Sequence, residues 1–196
     1  MLCLINGRTH YIVNRFKEFI SYRFANGVIM TALSKEVEES FPNPLDVIEQ
    51  IAVSHDWLFE RSSPADIVLE VTGHWCDYRM FVTWHEDVQA LLFACAFDMR
   101  VPEKKSNSIH PLLAIINERL LIGHFDLWSS DGLPVYRHAL LLRGAVSVSR
   151  EQLEDVVDIA FTESERYYPA FQFVIWGGKA PQDAMAAAIL ETQGEA

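Results

Sequence analysis

Between residues 43 and 56 apolar positions recur at helical spacing: Leu45, Ile48 and Ala52 share one face, and Val47 and Ile51 lie beside it. Asn43 is placed to cap such a helix, and Pro44 at its first position gives up no needed donor. Asp46 adds charge where the helix dipole favours it. The helix is expected to end near Asp56. The rhythm then changes to alternation. WLFERS, IVLEV and HWCDYRMFVTW read as strands, and in the third Cys76, Tyr78, Met80, Val82 and Trp84 line one face. SSPAD, Thr72-Gly73 and HED supply the turns of an antiparallel meander. VQALLFACAFDM is apolar on both faces, as a central strand covered on both sides is.

After a loop from Val101 to Asn107, a second helical pattern runs from Ser108 to Ile122 with Leu112, Ile115, Ile116 and Leu120 inward, and Gly123 is expected to stop it. HFDLW, the SSDG turn and LPVYRHALLL make a hairpin. Ser149 followed three residues later by Gln152 signals a capping box. From there to Trp176 the residues Leu153, Val156, Val157, Ala160, Tyr167, Phe171 and Val174 keep helical spacing, and Pro169 is expected to kink or break the helix. An Ala-rich helix is expected from Pro181 to Glu191. The order α-β-β-β-β-α-β-β-α plus a C-terminal helix predicts an α+β fold, an antiparallel sheet with helices packed mainly on one face.

Charge divides the chain. Residues 1–29 hold four basic side chains (Arg8, Arg15, Lys17, Arg23) against Glu18, whereas the chain of 196 residues totals −11. Met30-Thr31-Ala32-Leu33 reads like a fresh start. Residues 1–29 are therefore expected to be an N-terminal extension outside the core fold, either genuine or a mis-called start, and residues 30–196 a single domain. An acidic chain without a basic stripe is not expected to bind nucleic acid. No apolar run reaches the roughly 20 residues of a membrane span. Three cysteines without paired spacing, Cys3, Cys76 and Cys95, fit a reducing cytoplasm.

Candidate chemistry is sparse. Gly177-Gly178-Lys179 suggests a phosphate loop, but it follows a helical pattern and Ala180 stands where a P-loop has Ser or Thr. A glycine helix stop followed by Pro181 opening the next helix explains every residue there. His74, Cys76 and His85 lack a metal-binding spacing, and Cys95 in LLFACAF reads as a buried small hydrophobe. No catalytic, cofactor or metal residue is assigned. The aromatics Trp75, Trp84, Trp128, Tyr136, Phe171 and Trp176 are more than a small core must hold; most are expected in the core, and the remainder suggest an exposed patch that binds protein.

PNPLDVIEQIA, WCDYRMFVTWHEDVQALLFACAFDMRVPEKK, INERLLIGHFDLWSSDGLPVYRHALLLRG and ERYYPAFQFVIWGGKAPQDAMAAAILETQGEA together resemble members of the YbjN family, described as bacterial sensory transduction regulators. The resemblance spans residues 30–196. It implies a fold like that of type III secretion chaperones, which dimerise and hold partner polypeptides, and residence in the cytoplasm. The chain thus reads as a non-enzymatic regulatory or chaperone-like protein that binds a protein partner and forms a homodimer. A small-molecule sensor, or an enzyme with an unrecognised pocket, is the alternative. The interaction candidates are Trp128, Tyr136, Tyr167, Phe171 and Trp176. The first candidate for the dimer contact is helix 149–176, and the second is the hairpin around Trp128 and Tyr136.

Overall fold

Asn43 begins the first helix as the pattern requires: its Oδ1 accepts from the Leu45 amide at 2.9 Å, and Pro44 takes the first helical position. The structure is a computed structural model that describes residues 42–193, so the expected extension over residues 1–29 lies outside the described residues. Helix α1, Pro44–Ser54, buries Leu45, Ile48, Ile51 and Ala52. Asp56, at φ 55°, then turns the chain into the sheet.

Strands β1 (Leu58–Ser63), β2 (Asp66–Thr72), β3 (Asp77–His85) and β4 (Ala90–Ala96) form the expected meander. A short 3-10 turn, Glu86–Val88, joins the last two. Helix α2 (Ser106–Asn117) then carries the chain across to the hairpin of β5 (His124–Trp128) and β6 (Leu133–Leu141). Helix α3 (Arg150–Ile175) and helix α4 (Pro181–Gln193) complete the described chain. The sheet order is β1-β2-β3-β4-β6-β5, antiparallel throughout, so the hairpin docks by its second strand and leaves β5 at the far edge.

Period-two alternation decides which face is buried against helices. Tyr78, Met80 and Val82 of β3 stand opposite Val71, Leu69 and Ile67 of β2, and Met80 and Val82 stand opposite Cys95 and Phe93 of β4. All of these join one core with the inward residues of the four helices. The fold is α+β, with the described helices on one face of the sheet. β4 is apolar on both faces, and on the second face Ala94, in line with Phe81 of β3 and Val68 of β2, is also buried.

Two helices depart from the expected pattern. α2 stops at Asn117 and not at Gly123. The Asn117 side chain turns away to bond Phe125, accepting from its amide at 2.7 Å and donating to its carbonyl at 3.0 Å. Gly123, at φ 70°, lies against the Tyr136 hydroxyl, where a Cβ would collide; that hydroxyl donates to the Ile122 carbonyl at 2.9 Å. Gly123 therefore serves the strand entry and not the helix end. α3, opened by the expected capping box at Ser149 and Gln152, runs without interruption for 26 residues through Pro169. The ring removes the donor that would reach the Glu165 carbonyl one turn earlier.

Candidate functional site

The turn between β2 and β3 meets the middle of α3. Gly73 donates its amide to the Cys76 carbonyl at 3.0 Å, which tightens residues 73–76 into a narrow loop. The two following amides point at Glu165 of α3: His74 N–H lies 3.1 and 3.2 Å from its two carboxylate oxygens and Trp75 N–H 3.4 Å from one. Successive amides converging on one anion make a nest, here filled from within the chain. Only glycine fits at position 73, because a Cβ would strike the carboxylate and the Tyr78 ring. Trp75 adds a second hold, stacking on Tyr168 with centroids 6.2 Å apart and planes 10° from parallel.

Beneath the turn lies a polar cluster inside apolar surroundings. Burial pushes the Cys76 thiol up to about 11 and the Cys95 thiol up to about 12. Both stay protonated near neutrality, so neither is a poised nucleophile. Burial, and then the nearby Glu165 carboxylate, push the Tyr78 phenol upward as well. Its buried hydroxyl lies beside the Glu165 carboxylate and the Cys76 thiol. Ser164, fully buried beside Cys95, donates to the Ala160 carbonyl of its own helix at 2.6 Å.

The five interaction candidates separate sharply. Tyr136 and Phe171 are fully buried and Tyr167 is 4% exposed. Phe125 gathers all three, with ring centroids 5.4, 5.7 and 5.8 Å from Tyr136, Tyr167 and Phe171. These three rings are core, and as interaction candidates they present almost no surface. Helix 149–176 buries the aromatics that were to make the dimer contact. Trp128 is half-buried on the other face of the sheet beside Phe81, and only Trp176, 62% exposed, stands at the surface.

Other sequence candidates resolve by position. His74 and Cys76 precede β3 and His85 ends it, so the nine-residue strand separates them. Among the described residues no group of three or more His, Cys, Asp or Glu side chains is arranged to hold a metal ion, and no helix is long and apolar enough to cross a membrane. Gly177-Gly178-Lys179 closes α3. Gly178 adopts φ 64°, the Lys179 amide bonds the Phe173 carbonyl at 3.0 Å, and Lys179 Nζ lies 4.2 Å above the Phe173 ring. The glycines turn a corner between helices.

An exposed apolar edge went unnoticed in the sequence. At the α1–β1 corner Val53 is 63% and Leu58 71% exposed, with Phe59 at 36% and Trp57 half-buried, its ring 4.6 Å from His55. β1 is an edge strand, and among the described residues only β2 pairs with it. The opposite edge, β5, is treated differently, since Asn117 occupies both the amide and the carbonyl of Phe125. A mixed run such as WLFERS gives no sign of this, because edge position depends on the sheet order.

A family model described as "Putative bacterial sensory transduction regulator", YbjN, matches residues 44–173. The chain belongs to the YbjN family. The matched span begins with α1 and ends two residues before α3 does, so the Gly73 turn, Glu165 and the β1 edge are all YbjN positions, while Trp176 and α4 lie beyond it. Among solved structures the chain is similar to YbjN from E. coli, described as "a putative transcription regulator", with 15% identity, 80% of this chain and 96% of that chain covered and a TM-score of 0.44. None of the curated proteins matches the chain.

Proposed function

We propose that the protein is a non-enzymatic cytoplasmic regulator that works by binding a protein partner, and that it forms a homodimer. The observation that supports this reading is the β1 edge. Leu58 and Phe59 put large apolar side chains at the surface of a strand that, among the described residues, pairs only with β2, and Val53 near the end of α1 is exposed as well. Such edges invite strand addition, in which main-chain hydrogen bonds give affinity and alternate side chains give selectivity. The family description as a regulator agrees with a binding role. Holding a partner polypeptide, as secretion chaperones do, is the form of that role proposed here.

Light scattering tests the homodimer. A mass near twice 22.4 kDa is expected at micromolar concentration, falling towards 22.4 kDa in Leu58→Lys. Glu191→Lys, on the exposed end of α4, should leave the mass unchanged. A wild-type mass of 22.4 kDa would remove the homodimer. For the partner, native cytoplasm is passed over immobilised wild-type and Leu58→Lys protein. A protein retained by both alike would show that the β1 edge is not the binding surface.

A further inference from the structure

We propose that the corner between α3 and α4, where Trp176 and Lys179 meet Lys104 and Lys105, is a docking surface for an acidic segment of a partner polypeptide. Charge is the first observation. The chain totals −11, yet Lys104, Lys105 and Lys179 are all the lysines of residues 42–193, and they gather at this corner. Arg61, Arg137, Arg150 and Arg166 each reach a carboxylate, whereas no carboxylate of the described residues forms an ion pair with any of these lysines. Position is the second observation. Lys105 opens α2, and its Nζ lies 3.9 Å from where a Cβ on Gly178 would stand; no other described atom outside the adjoining residues comes within 4 Å of that point. Lys179 Nζ is held 4.2 Å above the Phe173 ring, a place that cation–π attraction favours. Trp176 caps the end of α3 with 62% of its surface exposed, and Gly177 and Gly178 beside it are exposed too.

These features set the chemistry of the occupant. Ammonium groups without a carboxylate are complementary to acidic side chains, and an exposed indole among them is complementary to an apolar one. Trp is prominent among the residues that dominate binding energy at interfaces. The two glycines carry no side chain, so a main chain can approach closely. A nucleic acid or an anionic bilayer spreads negative charge over a wide footprint and would also meet the rest of an acidic surface, which repels it. A segment of a few residues meets only the corner, because screening limits exposed charges to a range of about 8 Å at physiological salt. Exposed ion pairs contribute little each, so the affinity is modest and falls with salt. Trp176 and Lys179 lie beyond the matched family span, so this surface is in part the chain's own. The inference rests on the reading that the protein binds a polypeptide, and it shares no residue with the β1 edge.

The probe is a fluorescent peptide in which a leucine and a phenylalanine are flanked on each side by a glutamate and an aspartate, titrated onto the full chain. One control peptide has amides in place of the carboxylates, and a second has glycines in place of the two apolar residues. The acidic peptide should bind at least about fivefold more tightly than either control and weaken as salt rises. It should shift the NMR signals of the Trp176 indole and of the Lys105, Gly177 and Gly178 amides. Replacing all three lysines (Lys104→Glu, Lys105→Glu and Lys179→Glu) should weaken binding by about tenfold or more, and Trp176→Ala by about fivefold. Lys179→Gln alone should weaken it by about two- to fivefold, and it serves if the triple variant does not fold. Leu58→Lys at the β1 edge should stay within about twofold, because the corner does not include it. The proposal is overturned if the acidic peptide does not bind, if either control binds as tightly, or if Lys179→Gln and Trp176→Ala both keep the wild-type affinity. Loss of the peptide in Leu58→Lys alone would end this inference and leave the β1 reading standing. Tighter binding of phosphatidylglycerol vesicles or of a single-stranded oligonucleotide through the same lysines would overturn the polypeptide partner. A dimer that Trp176→Ala dissociates would overturn it as well, since a second copy would then occupy the corner.

Discussion

Asn43 and Pro64 are joined by a hydrogen bond of 2.7 Å from the asparagine Nδ2 to the proline carbonyl. The same side chain accepts from the Leu45 amide. One residue thus caps α1 and ties it to the β1–β2 turn, using its oxygen for the helix and its nitrogen for the sheet. Arg61 of β1 reinforces the joint by reaching Asp46 at 2.6 Å and Glu49 at 3.0 Å.

The two roles of Asn43 separate by substitution. Asn43→Asp keeps the cap and loses the donor, and should cost about 0.5–1.5 kcal/mol. Asn43→Ala loses both and should cost about 1–3 kcal/mol. Urea denaturation of the two variants measures the difference; equal losses would mean that the bond to Pro64 contributes nothing.

Gly123 and Gly144 give a paired test of packing against backbone strain. Both have positive φ, 70° and 83°, but a Cβ at 123 would meet the Tyr136 hydroxyl and the Arg137 carbonyl, whereas nothing lies within 4 Å at 144. Gly144→Ala should cost about 1 kcal/mol from backbone strain alone. Gly123→Ala adds overpacking and should cost about 2–4 kcal/mol. Thermal melts of both variants check the order.

Phe171 and Trp176 carry opposite expectations although five residues apart on one chain segment. Phe171 is fully buried against Phe97 and Phe125, so Phe171→Ala should cost about 3–5 kcal/mol. Trp176 is 62% exposed, and Trp176→Ala should stay within about 0.5 kcal/mol. Chemical denaturation decides. A stable Phe171→Ala would mean that this ring does not pack in the core in solution.

That contrast also marks where sequence reasoning succeeded and where it stopped. Helical spacing singled out Leu153, Val156, Val157, Ala160, Tyr167, Phe171 and Val174, and all seven face inward. Treating Tyr167 and Phe171 as surface candidates ignored that same spacing. The caps at Asn43 and Ser149 were legible because they are local: each cap and its partner lie within three residues. The end of α2 was not legible, since Asn117 is drawn off by Phe125 and Gly123 is required by Tyr136. The Glu165 nest was hidden for a similar reason. Its two halves lie 91 residues apart, and a carboxylate on a helix reads as solvated until the fold brings two amides to it.

The thiols make stability fall at alkaline pH, and the sign follows from their burial. Burial holds Cys95 near 12 and Cys76 near 11 in the folded chain, against 9.0 for an ordinary thiol. Between those limits the unfolded chain has released these protons and the folded chain still holds them. The unfolded state therefore binds fewer protons, and stability must drop as pH rises. The contribution is fully present below about pH 9 and is lost progressively from there towards 11 for Cys76 and 12 for Cys95. The buried phenols of Tyr78 and Tyr136, raised by burial as well, push in the same direction. Cys95→Ala removes one of these groups and nothing charged at neutrality. The variant should be somewhat less stable than the wild type at pH 7, through the lost sulfur contacts, and should lose stability less steeply between pH 9 and 11. Urea midpoints taken across that range give the slope directly. Parallel curves for variant and wild type would show that the Cys95 thiol ionises as easily inside the fold as outside it, and the side chain would then have to be in contact with water.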